Sequence, residues 1–292
     1  MTDRGRLWAQ ASEPDILALC QAHDARLILP RFERVALPVA ALCETPGGAR
    51  DRQLLRGEGF HLRAVTGAGW AFGHAERDGY AGWLNLADVA LHPADDPTHR
   101  IAVSRSYAKP NPGLKATGHE IPLSHGTRVI VLDEADGWSR VAWTRDDAPR
   151  DLYIPSGHLA PVSGRETDPV EVAEMFWGTP YLWGGNSSFG IDCSGLVQAA
   201  CLACGIACPG DSDTQVAALG QGLPEDAPLR RGDLMFWKGH VAWVVDPGTL
   251  LHANAFHMAV AYEPLQDAIA RIAAQGGGQV RARKRLWQAA SL

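Results

Sequence analysis

The sequence of 292 residues has no apolar run near the ~20 residues that a membrane-spanning helix needs, so neither a spanning segment nor a membrane partner is expected. An export signal is not expected either. Arg4 and Arg6 give a short basic start, but Glu13, Pro14 and Asp15 interrupt any apolar stretch behind it. Leu17-Ala18-Leu19-Cys20 fails as a lipoprotein cleavage site, because Leu19 stands where a small residue is needed. Neither charge sign dominates. Lys and Arg number 27 against 33 Asp and Glu, for a formal net charge of -6 and a pI near 6.0. This argues against nucleic acid or an anionic polymer as an electrostatic partner. The late cluster Arg281, Arg283, Lys284 and Arg285 reads as a solvated chain end.

Cysteine is sparse: Cys20, Cys43, Cys193, Cys201, Cys204 and Cys208. Four of them fall in one short segment, which is poor placement for a disulfide framework, so reduced thiols and a cytoplasmic location are expected. Cys201-x2-Cys204-x3-Cys208 has a spacing that zinc or an iron–sulfur cluster uses. However, Cys201 and Cys204 fall on apolar helical positions, and the fourth ligand would have to be Cys193. Core packing is the reading, with no metal and no cofactor required.

What is present is ordinary globular composition, 46% hydrophobic and 21% charged, with length for more than one core. A helical leader is expected over 1–26, with Ile16 to Leu27 as a short amphipathic helix and Cys20 as a buried small hydrophobe. Residues 27–92 and 99–162 read as two small β regions joined by a proline-bearing linker. The first has short apolar stretches at Leu27 to Leu29, Val35 to Val39, Phe60 to Val65, Trp70 to Phe72 and Trp83 to Leu86. The second has Ile101 to Val103, a long polar loop through Pro110 and Pro112, then Arg128 to Leu132, Trp138 to Trp143 and Leu152 to Ile154. Strands this short suggest barrels. A shared order of loop, strand and tryptophan suggests a weak internal repeat.

The character changes over 165–292. Asp168 is a candidate N-cap, with Pro169 at the first helical position of a helix to Phe176. A glycine-rich stretch leads to Cys193, from which a helix is expected to Ile206. A polar loop (Pro209 to Gln215) and a short helix follow. Strands are expected at Leu234 to Trp237, His240 to Val245 and Leu250 to Phe256, with a helix over Asp267 to Ala274 and a last strand over Gln279 to Leu286. The class is α+β.

Cys193 in the first turn of a helix is placed as a nucleophile. The positive helix end favours its thiolate by about 0.3–1 kcal/mol. Backbone N–H groups there can hold an oxyanion, and Gly184, Gly185, Gly190 and Gly195 are expected to let the backbone approach a bound peptide. Of eleven histidines, His240 and His252 stand out, each inside an apolar strand pattern where an unpaired polar ring is costly. His240 is expected to take the proton of Cys193 and His252 to fix its tautomer, with His257 as a competitor for the second place.

Pro180-Tyr181-Leu182-Trp183-Gly184-Gly185, Asp192-Cys193-Ser194-Gly195-Leu196-Val197, Arg231-Gly232-Asp233-Leu234, Gly239-His240-Val241-Ala242 and Leu251-His252-Ala253 resemble, in number and order, the NlpC/p60 family of papain-like cysteine peptidases. Leu54-Leu55-Arg56-Gly57-Glu58, Trp70 and Asp78-Gly79-Tyr80-Ala81-Gly82-Trp83-Leu84 resemble a bacterial SH3-like domain, with a weaker second copy. Together they look like γ-D-glutamyl-L-diamino acid endopeptidases. The resemblance implies a papain-like domain preceded by two small SH3-like barrels. It implies cleavage of the γ-D-glutamyl–diamino acid bond of murein peptides with a free N-terminal L-alanine, in peptidoglycan recycling. It assigns Cys193 as nucleophile, His240 as base, His252 as third polar residue and Tyr181 as an oxyanion partner. Asp192, Ser194, Ser212 and Tyr80 match substrate contacts, and Trp183 lines the cleft. A glutamate that pairs with the substrate amine aligns with Glu44, or alternatively Glu58. A carboxylate beside a thiolate raises the thiol pKa, so Asp192 is read as a binder of that amine. The competing readings are an inactive peptidoglycan-binding module, and an amidase or acyltransferase on the same scaffold.

Overall fold

A computed structural model describes residues 13–90, 96–145 and 148–286. The chain divides into two compact units, the first ending at Gly164 and the second beginning at Arg165. Among the described residues no helix is long and apolar enough to cross a membrane.

The first unit opens with helix α1 (Glu13–Ala22). Its Ile16 and Cys20 are buried in a cluster with Cys43, Ala64, Phe72 and Trp83. The strands β1 (Ala25–Val35), β2 (Val39–Cys43), β3 (Arg50–Leu55), β4 (Gly59–Thr66), β5 (Trp70–Ala75), β6 (Ala81–Asn85) and β7 (Val89–Ala90) form one sheet in the order β3-β2-β6-β5-β4-β1-β7. Where two short stretches were expected around 27–39, β1 runs unbroken for 11 residues. Its register against β4 shifts between Leu27 and Arg31, around Pro30, which has no N–H to give a ladder. The charged run of β3 does not look like a strand in sequence, yet it pairs with β2 and buries Arg52 and Gln53.

Strands β8 (His99–Ile101), β9 (Arg105–Ala108), β10 (Ile121–Ser124), β11 (Arg128–Ala135), β12 (Trp138–Arg145), β13 (Ala148–Pro155) and β14 (Leu159–Pro161) complete this unit. They make a β10-β9 pair and a sheet ordered β13-β12-β11-β8-β14, over a core of Ile101, Leu123, Val141, Trp143, Leu152 and Ile154. The two sheet systems are fastened together. The guanidinium of Arg56 lies 3.6 Å over the ring of Trp143. The Arg128 N–H donates to the Arg56 carbonyl at 2.9 Å. Gly57, at φ +80°, allows this approach, since a Cβ there would come within 2.5 Å of the Arg128 carbonyl oxygen.

The second unit carries helices α2 (Pro169–Glu174), α3 (Cys193–Ala203), α4 (Ser212–Ala218) and α5 (Leu265–Ala274). A small β15 (Asn186–Ser187) and β16 (Gly190–Ile191) hairpin precedes α3. The main sheet is built from β17 (Gln221–Gly222), β18 (Asp233–Trp237), β19 (His240–Asp246), β20 (Thr249–Asn254), β21 (Ala259–Pro264) and β22 (Ala282–Arg285), in the order β17-β22-β18-β19-β20-β21. Alternation along the strands sorts two cores. Leu234, Phe236, Val241, Trp243, Leu251, Ala253 and Val260 pack with α2 and α3. Met235, Trp237, Ala242, Val244 and Leu250 pack with Leu265, Ala268 and Ile272 of α5.

Two expectations are corrected here. Strand β21 was not foreseen, because Tyr262-Glu263-Pro264 reads as a polar stretch running into a helix. The basic cluster is not a solvated end: β22 lies between β17 and β18, and Arg285 donates through Nε and Nη2, at 2.8 and 2.7 Å, to the carboxylate of Asp233. Asp233 is 1% exposed, and an ionised carboxylate buried to that depth needs such a partner.

Candidate active site

Asp192 caps the helix that begins with Cys193. Its Oδ1 accepts from the Gly195 N–H at 2.6 Å and from the Ser194 hydroxyl at 3.0 Å, and its Oδ2 accepts from the Gly184 N–H at 3.0 Å. The charge of Asp192 is held by backbone donors at the head of α3 and ties the glycine loop to it. The glycines also serve the packing of the loop. A Cβ on Gly195 would meet the Gly185 carbonyl oxygen at 2.4 Å, and one on Gly185 would meet that of Gly190 at 2.4 Å. They let the loop pack backbone to backbone against itself and against the helix that begins at Cys193. Cys193 itself is buried.

Three buried amides brace this platform, and nothing in the sequence singled them out. Asn186 Nδ2 donates to Gln198 Oε1 at 3.1 Å, and Gln198 Nε2 donates to the Cys208 carbonyl at 3.0 Å. Gln215 Nε2 donates to the carbonyls of Ser194 and Pro209, both at 2.9 Å. Spread over the loop and two helices, they show no motif. The one available signal was a polar residue on an otherwise apolar helical face.

Helix α3 packs across β19 and β20, the strands that carry the two histidines. His240 Nε2 and His252 Nδ1 lie 2.8 Å apart. His252 is fully buried, and its Nε2 lies 2.9 Å from Oε2 of Glu263 on β21. Burial first, then His252 and Arg271, push His240 down to about 3, against the opposing pull of Glu263. Burial also lowers His252. Burial pushes Glu263 up, but hydrogen bonds from Arg271 and His252 outweigh it and hold the carboxyl at about 2. At neutral pH the pair is thus two neutral imidazoles beside a carboxylate, the state a base must be in before it takes a proton. His257 does not compete. It sits in the turn after β20, its N–H and Nδ1 at 2.8 and 3.0 Å from Oδ1 of Asn254.

These shifts fix the sign of the acid response. His240 and His252 titrate lower in the folded chain than their ordinary 6.5, so between that pH and the folded values the unfolded state holds more protons. Stability is complete above about pH 6.5 and is lost as the pH falls, by up to about 1.4 kcal/mol per pH unit for each histidine. Glu263 acts in the same direction from its ordinary 4.5 down to about 2. His240 keeps part of its surface open, which discounts its share. Urea unfolding of the second unit is expected to show a loss of a few kcal/mol between pH 7 and 4. An unchanged midpoint over that range would refute the neutral buried pair.

The remaining predicted residues are placed as follows. Tyr181 is half-buried against the α3 core, and its N–H donates to the Met258 carbonyl at 2.9 Å. Trp183 is 60% exposed. Ser212 is the first residue of α4 and half-buried. In the first unit, the Tyr80 hydroxyl donates to Asp51 at 2.7 Å, and Arg52 lies 5.6 Å over its ring. Glu44 is exposed where β2 leaves for the turn to β3. Glu58 is buried, accepting from Arg77 at 2.9 and 2.8 Å and from the Leu55 N–H at 2.8 Å, so its carboxylate is spent inside the barrel. Cys201, Cys204 and Cys208 are buried in the α3 core, where a hydrogen bond with Cys208 and burial push the Cys201 thiol up. Among the described residues no three His, Cys, Asp or Glu side chains are grouped to hold a metal.

With this geometry in hand, the comparisons with known proteins are informative. The NlpC/P60 family matches residues 178–273, and the bacterial dipeptidyl-peptidase SH3 domain matches residues 42–89. Dipeptidyl-peptidase 6 of Lysinibacillus sphaericus is 37% identical over 195 residues, covering 60% of this chain and 69% of that protein. The chain belongs to the NlpC/P60 family. Another relative, gamma-D-glutamyl-L-lysine dipeptidyl-peptidase of Bacillus subtilis (strain 168), is 30% identical over 188 residues, and the chain spans 60% of its length. The crystal structure of an NlpC/P60 family protein from Bacillus cereus ATCC 10987 has the same fold, with a TM-score of 0.73 at 19% identity over 88% of this chain and 100% of that one. The NlpC/P60 match contains Cys193, His240, His252 and Glu263, and the SH3 match contains Glu44 and Tyr80.

Proposed function

We propose that this chain is a cysteine endopeptidase that cleaves the γ-D-glutamyl–diamino acid bond of murein peptides bearing a free N-terminal L-alanine, in the cytoplasm and in peptidoglycan recycling. The observation that carries the reading is the 2.8 Å His240–His252 contact on the strands against which the Cys193 helix packs. The names of the relatives support the γ-D-glutamyl bond and L-lysine as the diamino acid. In this reading the Cys193 thiolate attacks the γ-glutamyl carbonyl and the C–S bond forms. His240, holding the thiol proton, gives it to the leaving amine as the C–N bond breaks, and water hydrolyses the thioester. Tyr181 and backbone N–H groups at the head of α3 receive the oxyanion. Ser194, Ser212 and Trp183 line the peptide, while Asp192 acts by holding the nucleophile's loop. Glu44 and Tyr80 of the SH3 domain recognise the amine end, and 99–162 is a second SH3-like domain. A free ammonium needs a carboxylate when it is withdrawn from water, which favours Glu44 in that role.

The test is hydrolysis of synthetic L-Ala-γ-D-Glu-L-Lys, followed by mass spectrometry. Release of L-Ala-D-Glu and lysine is expected, with at least a hundredfold slower cleavage of the N-acetylated peptide. Equal rates on the two would remove the amine requirement. Products other than these would point to an amidase or acyltransferase.

A further inference from the structure

Two charged side chains beside the histidines take no part in the bond-breaking step described above. Glu263, at the end of β21, is 5% exposed. Arg271 of α5 grips it with Nε on Oε1 and Nη2 on Oε2, both at 2.8 Å. Arg271 is itself placed, with Nη1 2.9 Å from Oε1 of Gln275 and its guanidinium 4.7 Å over the ring of Phe256. Compensation of the buried carboxylate would be complete with Arg271 alone. The contact between Glu263 and His252 therefore needs a separate account.

That contact has a direction. An ionised carboxylate only accepts, so the proton between Glu263 and His252 belongs to Nε2 of His252. A neutral imidazole has one N–H, which leaves His252 Nδ1 with a lone pair. The 2.8 Å contact to His240 then requires the proton on His240 Nε2. His240 Nδ1 is left with the lone pair. We propose that Glu263, clamped by Arg271, is a positioning residue that sets the tautomers of both histidines, so that His240 offers Nδ1 as the base for Cys193. This rests on Cys193 being the nucleophile. The Cys193 S–H bond breaks, its electron pair stays on sulfur, and the proton goes to His240 Nδ1. No proton has to pass between the histidines.

The charged and titratable groups that act on the pair are Glu263 of β21, Arg271 of α5 and His257 in the turn after β20. Arg271 and His257 disfavour an imidazolium and Glu263 favours it, so their charges oppose one another. The distinctive contribution of Glu263 is direction. A neutral amide at 263 can turn either its oxygen or its NH2 toward His252, and the second orientation reverses every proton in the chain.

The experiment compares the wild-type protein with Glu263→Gln. Three readouts are used: iodoacetamide alkylation of Cys193 against pH, turnover of L-Ala-γ-D-Glu-L-Lys, and imidazole 15N NMR. In the wild type, protonated Nε2 is expected on both His240 and His252. In Glu263→Gln, the onset of alkylation should move up by at least about one pH unit. There kcat should fall roughly 30-fold or more with KM within about twofold, the pattern of a group acting on the chemical step. A wild-type His240 carrying its proton on Nδ1 would overturn the proposal without any variant, as would an unchanged alkylation profile in a folded Glu263→Gln. Absence of Cys193 alkylation in the wild type near neutral pH would instead refute the nucleophile reading, while the NMR result would still decide the tautomers.

Discussion

Cys193→Ala is expected to lower kcat/KM on L-Ala-γ-D-Glu-L-Lys by at least about 10,000-fold, because removing a nucleophile leaves only binding and oxyanion stabilisation. The fold should survive. The substitution removes one sulfur from a residue that is already 7% exposed, and the helix keeps the Asp192 cap through backbone donors. Stability should drop by about 1 kcal/mol, the cost of a small cavity. Cys193→Ser should be nearly as inactive, since a hydroxyl does not ionise near neutral pH beside a neutral imidazole. Rates from purified variants, with urea unfolding as the control for folding, provide the check. Residual activity above one hundredth of wild type in Cys193→Ala would require a different nucleophile.

Asp192→Ala is expected to fail in a different way, through the platform. The carboxylate accepts three hydrogen bonds, from Gly184, Ser194 and Gly195. Losing an N-cap costs about 1–2 kcal/mol. Leaving the Gly184 N–H, which is buried, without its acceptor adds about 1–3 kcal/mol. The second unit should therefore lose roughly 3 kcal/mol, or on the order of 10 °C in Tm. Asp192→Asn separates cap from charge. Its carbonyl can keep the Gly195 bond, but its NH2 would then face the Gly184 N–H, so about half the loss is expected. Turnover should fall in both, and kcat should suffer more than KM because the disturbance is at Cys193. If Asp192→Ala were as stable as wild type and affected KM alone, the carboxylate would belong to substrate recognition after all.

The histidine pair was legible because polar rings stand out inside apolar strands and the strands are joined by a short turn. The head of α3 was legible for a similar reason, since glycines followed by a helical apolar pattern mark a tight entry. Glu263 was not. It ends a strand whose last residues look like a loop, and its partner Arg271 lies on a helix whose exposed face is expected to carry charge. Asp192 was visible, but its capping role went unread. An Asp before a helix is an N-cap by local rules alone, yet its position next to the nucleophile drew the reading toward substrate. Gln198 and Gln215 went unremarked because long-range amide bonds leave no spacing to recognise. In the first unit, β3 was hidden by its arginines. Burial of Arg52 and Gln53 there is decided by neighbouring strands, not by the residues' own preferences.

The placement of β22 between β17 and β18 bears on the order in which the protein is made. On the ribosome, the first unit has every strand it needs once Gly164 has emerged. The second does not. Its Cys193 helix and both histidines are synthesised well before Arg285, and until that residue arrives β18 has an open edge and Asp233 a charge without its guanidinium. A nascent chain therefore carries Cys193 and both histidines in an unfinished scaffold until β22 is added. Activity and β22 should arrive together.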